Sequence, residues 1–263
     1  MCRILGYLGP QISLDQLVLK PEHAMLVQSY KPKELDAAVL NGDGFGLGWH
    51  SEADSKAFVY RNVLPMWNDR SLGDLCRYIQ ARSFVVNLRS ATAKMPVDIS
   101  NCQPFTYQDM LFVHNGLIEN FFDTLHRPLR ERLCDKAYKM IEGLTDSEHI
   151  FALLVHNLET QPGIDLAEAL HQTIKKIAQM ANAAGVRVAA NIILSTPRQL
   201  IALRYDNQQK APSFYLLKNS KRFPDSIILT SEGLFEDDWQ PYNQSELVSI
   251  DSELTIKTYA TIA

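Results

Sequence analysis

Cysteine is scarce in this chain. The 263 residues include 4 cysteines, at positions 2, 76, 102 and 134. No Cys-x-x-Cys pair occurs among them, which excludes a disulfide framework and a zinc-ribbon ligand set and predicts free thiols. Long apolar runs are missing as well. No stretch reaches the roughly 18 residues of a membrane-spanning helix. The opening "MCRILGYLGPQISLDQL" lacks the apolar core and small-residue cleavage site of a secretory leader, so the expected compartment is the cytoplasm. An excess of one charge is also absent: 26 basic and 30 acidic residues leave a net −4. That balance offers no footprint for nucleic acid or an anionic membrane, and the expected partner is a small molecule. The glycine-dense "NGDGFGLGWH" has neither the spacing and lysine of a phosphate-binding loop nor the GxGxxG order of a dinucleotide site. It reads as a close-approach turn, with Asp43 organising the loop. His149 and His156 have no close third ligand, so neither a metal nor an organic cofactor is expected.

What is present is an ordinary globular composition, 46% hydrophobic and 21% charged, enough for one domain over residues 1–263. Short β-like runs at "CRILGYLG", "FGLGWHS", "AFVYRNV", "SFVVNLRS" and "DMLFVHNG" are bounded by Gly, Asn or Asp, with "SLGDLCRYIQA" a predicted helix. The centre changes period. "NFFDTLHRPLRERLCDKAYKMIEG" predicts a helix interrupted at Pro128, and "TDSEHIFALLVHNLE" a helix capped by Thr145 or Asp146. In "DLAEALHQTIKKIAQMANAAG", Leu166, Leu170, Ile174, Ile177 and Ala181 recur at helical spacing, with Asp165 as cap and Gly185 as exit. Strands return at "VRVAANIILS", "QLIALRYD", "PSFYLLKN", "DSIILTSE", "ELVSID" and "LTIKTYA". Strands, then helices, then strands point to α+β layers of sheet covered by helices.

The chemistry begins at "MC". A thiol attacks as thiolate, with an ordinary pKa near 8.5, while a free α-amino group titrates near 7.7 to 8.0. Removal of Met1 would give Cys2 its own general base, a combination open only to residue 2. The competing reading is a small buried residue opening a strand. An oxyanion formed by such a nucleophile needs donors, and "VHNG" offers the Asn115 amide and the Gly116 backbone N–H; read alone, Asn-Gly between apolar runs predicts a type I′ hairpin turn. Arg89, ending the apolar "FVVNLR", suits a two-pronged grip on a carboxylate, against a solvated or ion-paired arginine. Asp146 at a helix start suits a substrate ammonium, against a helix cap. Trp49, Trp67 and Trp239 are read as core rather than pocket, and His114 as a strand residue rather than a base.

Taken in order, "MC", "DGFG" at 43 to 46, "LRSAT" at 88 to 92, "NCQPF" at 101 to 105, "VHNG" at 113 to 116 and "TDSE" at 145 to 148 resemble the class II glutamine amidotransferases. These belong to the N-terminal nucleophile hydrolases, whose fold is a four-layer αββα sandwich. The resemblance implies that Cys2 is the nucleophile, that Asn115 and Gly116 form the oxyanion hole, and that Arg89 and Asp146 hold the carboxylate and amino group of a γ-glutamyl unit with Thr92 nearby. "LVQSYKPKE", "MWNDRSL", "LRSATAKMPVDISNCQPF" and "TSEGLFEDDW" are similar to one branch, the ergothioneine-pathway hydrolases that take glutamate from a γ-glutamyl-hercynylcysteine S-oxide. Many amidotransferases carry an aromatic residue and a histidine where this chain has Ser90 and Ala93, which implies an altered rim and a substrate other than free glutamine. A glutaminase serving a separate synthase partner, and a silent binding protein on the same fold, are the alternatives. Oligomeric state is not legible.

Overall fold

The computed structural model describes residues 1–34, 40–51, 56–91 and 95–259. Two antiparallel sheets stack face to face. The first contains β1 (Arg3–Ser13), β2 (Phe45–His50), β3 (Ala57–Asn62), β4 (Gln80–Leu88), β9 (Tyr215–Lys218), β10 (Ile227–Thr230) and β11 (Gln240–Pro241), in the order β11-β9-β10-β1-β4-β2-β3. The second contains β5 (Phe105–Tyr107), β6 (Met110–Ile118), β7 (Val188–Ser195), β8 (Gln199–Asp206), β12 (Glu246–Asp251) and β13 (Ile256–Thr258), in the order β13-β12-β8-β7-β6-β5.

Strand alternation explains the layers. In β1, Leu5 and Tyr7 turn outward into a core shared with α1 (Asp15–Val18), α2 (Met25–Tyr30) and α3 (Leu72–Tyr78). Ile4 and Leu8 turn inward, where they meet Val85 of β4, Val113 of β6 and Ile193 of β7 between the sheets. Gly6 shares that inner face, and a Cβ there would lie 2.9 Å from Ile193 Cγ2, so glycine permits the close approach. Beyond the second sheet, Phe112, Ile192 and Leu194 pack against α4 (His126–Arg130), α5 (Asp135–Lys139), α6 (Asp146–Thr160) and α7 (Leu166–Ala184). Strands apolar on both faces therefore read as nearly continuous hydrophobic runs, and the result is the four-layer αββα sandwich.

Several local expectations hold. Asp165 caps α7 by accepting from Ala167 and Glu168 N–H, and Gly185 ends it at φ +68°. Others are corrected. Pro128 does not break a helix: it sits in the first turn of α4, where its missing N–H has no intrahelical partner to lose. The interruption falls between α4 and α5. Asn115-Gly116 is no turn but the middle of β6, paired with Asn191 and Ala190 of β7. Helices α1 and α2, and strands β5 and β11, had no strong periodic signal.

Candidate active site

Register builds the site. Because Arg3 pairs with Leu88, the next antiparallel step places Cys2 beside Arg89, and the Cys2 thiol faces the Ser90 carbonyl at 3.9 Å. Around it, the end of β4, the stretch carrying Asn101 and Gln103, strand β6 and the start of α6 enclose a narrow cleft of about 40 Å³. Its lining includes Cys2, Arg89, Gln103, His114, Gly116 and Asp146.

Arg89 is aimed by backbone. Its N–H donates to Gly44 O (2.9 Å), and its guanidinium donates to Asp43 O and Pro96 O (3.1 Å each). Gly44 has φ +109°, and a Cβ there would come within 2.8 Å of Asn62 O and Cys102 Sγ, so the turn demands glycine. The Asp43 carboxylate accepts from Ala91 N–H at 2.7 Å and thereby fixes the loop that follows Arg89. Arg89 is 4% exposed and retains N–H groups for a ligand carboxylate.

Asp146 is free of capping duty, because the Thr145 hydroxyl caps α6 by accepting Glu148 N–H. Its carboxylate accepts one backbone N–H at each oxygen, from Ile118 (2.7 Å) and Ser147 (2.8 Å). The remaining lone pairs suit an ammonium group. His114, set aside from sequence, is a strand residue that also lines this cleft. Its Nε2 lies 3.3 Å from the Ala189 carbonyl, which can only accept, so Nε2 carries the proton; Nδ1 then accepts from Ser147 Oγ at 2.8 Å. Burial lowers the His114 pKa against the opposing charge of Asp146, which keeps the ring neutral. The Ser147 hydroxyl lies between two acceptors, His114 Nδ1 at 2.8 Å and Asp146 Oδ1 at 3.3 Å, and links the imidazole to the carboxylate.

Gly116 admits no side chain, since a Cβ would collide with the Ala189 carbonyl and the His114 imidazole. Asn115, on the alternate face of β6, turns its fully buried side chain into the space between the sheets. There Nδ2 lies 3.5 Å from Ser231 Oγ, and Oδ1 has no partner among the described residues. Cys2 precedes Ile4 by one strand repeat, so both it and Asn115 address the interlayer space, although the Asn115 side chain does not line the cleft. Thr92 and Ala93 lie outside the described residues. Gln103, whose side chain accepts from His114 N–H (2.5 Å) and donates to His114 O (3.1 Å), was missed, as were Asn101 and Ser147; only "NCQPF" and "TDSE" pointed near them. Trp49 and Trp239 pack on the outer core of the first sheet, whereas Trp67 is exposed, contrary to its reading as core. All four cysteines are free thiols. No group of three metal-ligating side chains occurs among the described residues, and no helix among them is long and apolar enough to cross a membrane.

A hollow of about 1030 Å³, lined by Glu22, His23 and Lys33 and by residues within 216–222 and 233–240, is larger, but it shares no residue with the Cys2 cleft. The chemistry converges at Cys2.

Comparison with known proteins gives the family. The model of the class-II glutamine amidotransferases matches residues 25–223, and the chain belongs to that family. It is 30% identical over 251 residues to the gamma-glutamyl-hercynylcysteine sulfoxide hydrolase of Mycobacterium tuberculosis, covering 95% of this chain and 93% of that one. A probable glutamine amidotransferase of Saccharomyces cerevisiae is 32% identical over 60% of this chain and 46% of its own. The structure of a glutamine aminotransferase class-II domain protein from Silicibacter pomeroyi superposes with a TM-score of 0.70 at 22% identity, over 98% of this chain and 99% of that one, a likeness of fold.

Proposed function

We propose that the protein is an N-terminal cysteine amidohydrolase that cleaves a γ-glutamyl amide, with γ-glutamyl-hercynylcysteine S-oxide as its substrate. The observation that carries this reading is the meeting of Cys2, Arg89 and Asp146 in one cleft. A guanidinium and a carboxylate flanking a thiol match the α-carboxylate, the α-ammonium and the γ-carbonyl of a glutamyl group. The choice of amine is supported by the similarity to the mycobacterial hydrolase along nearly the whole chain, and by Ser90 in place of a bulky residue at the rim.

After loss of Met1, the Cys2 thiolate adds to the γ-carbonyl while Arg89 and Asp146 hold the glutamyl end in register. Asn115 and Gly116 stabilise the oxyanion, each donor contributing about 3 kcal/mol. The C–N bond breaks as the Cys2 α-ammonium protonates the departing amine. The amine so regenerated takes a proton from water, which adds to the thioester; the second tetrahedral intermediate collapses to glutamate and free thiol.

The test is glutamate release by protein whose intact mass shows Met1 removed, comparing the S-oxide with glutamine, and wild type with Cys2→Ala. Cys2-dependent release from the S-oxide at a kcat/KM at least tenfold above that for glutamine is expected. Preference for glutamine would instead favour a glutaminase serving a synthase. No release from either would reject both substrates and favour a silent binding protein.

A further inference from the structure

Directly behind Cys2 lies a buried charge pair with no place in the steps above. Arg3 is fully buried and Glu232 is 1% exposed; Arg3 Nε lies 2.8 Å from Glu232 Oε1. The guanidinium also donates to the Cys2 carbonyl at 3.3 Å and to the Glu34 carbonyl at 2.7 Å. Glu232 is itself held from several sides: His23 Nε2 donates at 2.7 Å, Lys33 N–H at 2.8 Å and Glu34 N–H at 3.0 Å. Burial works to raise its carboxyl pKa, but these hydrogen bonds and the Arg3 charge hold it below the ordinary value. The carboxylate therefore stays ionised opposite Arg3.

Stability alone is a poor reason for this pair, because a buried ion pair is commonly replaceable by apolar side chains at little or no cost. Its connections supply a better one. Ser231, the neighbour of Glu232, accepts from Ile4 N–H at 3.0 Å, donates its own N–H to Ile4 O at 3.0 Å, and lies 3.5 Å from Asn115 Nδ2. Two adjacent residues just past β10 thus connect, Glu232 through Arg3 to the Cys2 carbonyl, and Ser231 to the Ile4 main chain and to the side chain proposed to stabilise the oxyanion.

We propose that Glu232 is a positioning residue for the nucleophile: through Arg3 it fixes the Cys2 carbonyl, and with it the direction of the Cys2 thiol and α-amino group. This rests on the reading of Cys2 as nucleophile. Arg3 is required as a fork, since it donates to two carbonyls while its Nε stays 2.8 Å from the Glu232 carboxylate, and a lysine cannot reproduce that geometry.

The experiment compares wild type, Arg3→Lys, Glu232→Gln and the double variant Arg3→Met/Glu232→Leu, each scored on chains shown by intact mass to have lost Met1. The double variant removes both charges together, so neither charge is left buried without its counter-charge. Expected are a kcat at least tenfold lower in every folded variant, KM within threefold of wild type, and a melting temperature of the double variant within a few degrees of wild type. A folded double variant with wild-type kcat overturns the proposal, as does a loss confined to KM. Alkylation of Cys2 by iodoacetamide, followed by peptide mass, separates this proposal from the substrate assignment. Should wild type release no glutamate, a fivefold or greater difference in alkylation rate between wild type and the double variant still supports positioning, and equal rates refute it.

Discussion

Replacing Asn115 by alanine separates folding from catalysis at one residue. In the resting protein its Nδ2 makes a single long contact, 3.5 Å to Ser231 Oγ, and its Oδ1 has no partner among the described residues. A hydrogen bond at that distance contributes at most about 0.5 kcal/mol, while removing an unsatisfied buried oxygen returns about 1 kcal/mol or more of desolvation cost. Losing the side-chain volume costs a similar amount. The net change in stability is therefore about 1 kcal/mol or less, a shift of a few degrees in melting temperature. On the proposed mechanism the same amide donates to the oxyanion of the tetrahedral intermediates, so its loss is expected to cost about 3 kcal/mol, or 10²- to 10³-fold in kcat. The assay is steady-state glutamate release from the substrate that wild type prefers, beside a thermal melt of the same preparation. A fall in kcat of less than tenfold in a protein that melts normally would refute the oxyanion role; a large drop in melting temperature would refute the account of its ground-state contacts.

Other outcomes follow from the geometry. Arg89→Lys forfeits the fork held by the Asp43 and Pro96 carbonyls, and should raise KM by about 30-fold, equivalent to about 2 kcal/mol, with a smaller effect on kcat; an unchanged KM would remove Arg89 from the substrate grip. His149, fully buried against Phe121 and His126, has its pKa pushed down by burial from 6.5 to about 4. The folded state favours its neutral form, so its contribution is present above pH 6.5 and is lost as pH falls through about 4, a change of about 3 kcal/mol. Urea melts of His149→Phe should show a shallower loss of stability across that window than wild type, and parallel profiles would contradict the assignment. Asp165→Ala removes the α7 cap, at a cost of about 1 kcal/mol and 2 to 4 °C in melting temperature; differential scanning calorimetry reads this directly, and an unaltered melt would show that the cap contributes nothing.

Legibility in the sequence followed the locality of the cause. Helix α7 was readable because its stripe, its Asp165 cap and its Gly185 exit lie within one continuous stretch, and β8 and β12 because turn residues bound compact apolar runs. Asn115-Gly116 misled as a local signal: the chain does not turn there because β7 pairs with it through eight successive positions from Leu111 to Ile118, a fact fixed some 75 residues downstream. Pro128 misled for the opposite reason, since whether it breaks a helix depends on where that helix begins. Of the candidate site, Cys2, Arg89, Gly116 and Asp146 were legible as residue types at ordered positions. His114 was seen but discounted, because its value to the cleft depends on Ser147 and Ala189 opposite it. Gln103, which holds the His114 main chain, carries no signal of its own in a single sequence.

Strand β1 is flanked on both sides, by β4 and by β10. Each residue along such a strand advances about 3.3 Å, so the sheet works as a ruler for the amino terminus. Trimming one residue leaves the new amine on the carbon that bears the thiol, beside Arg89. Trimming none leaves that nitrogen tied up in an amide, and trimming two discards the thiol itself. The proposed chemistry therefore needs the amine freed at one peptide bond, the one ahead of Cys2, and a tag or fusion placed there is compatible with it only if it is cut away to that same bond.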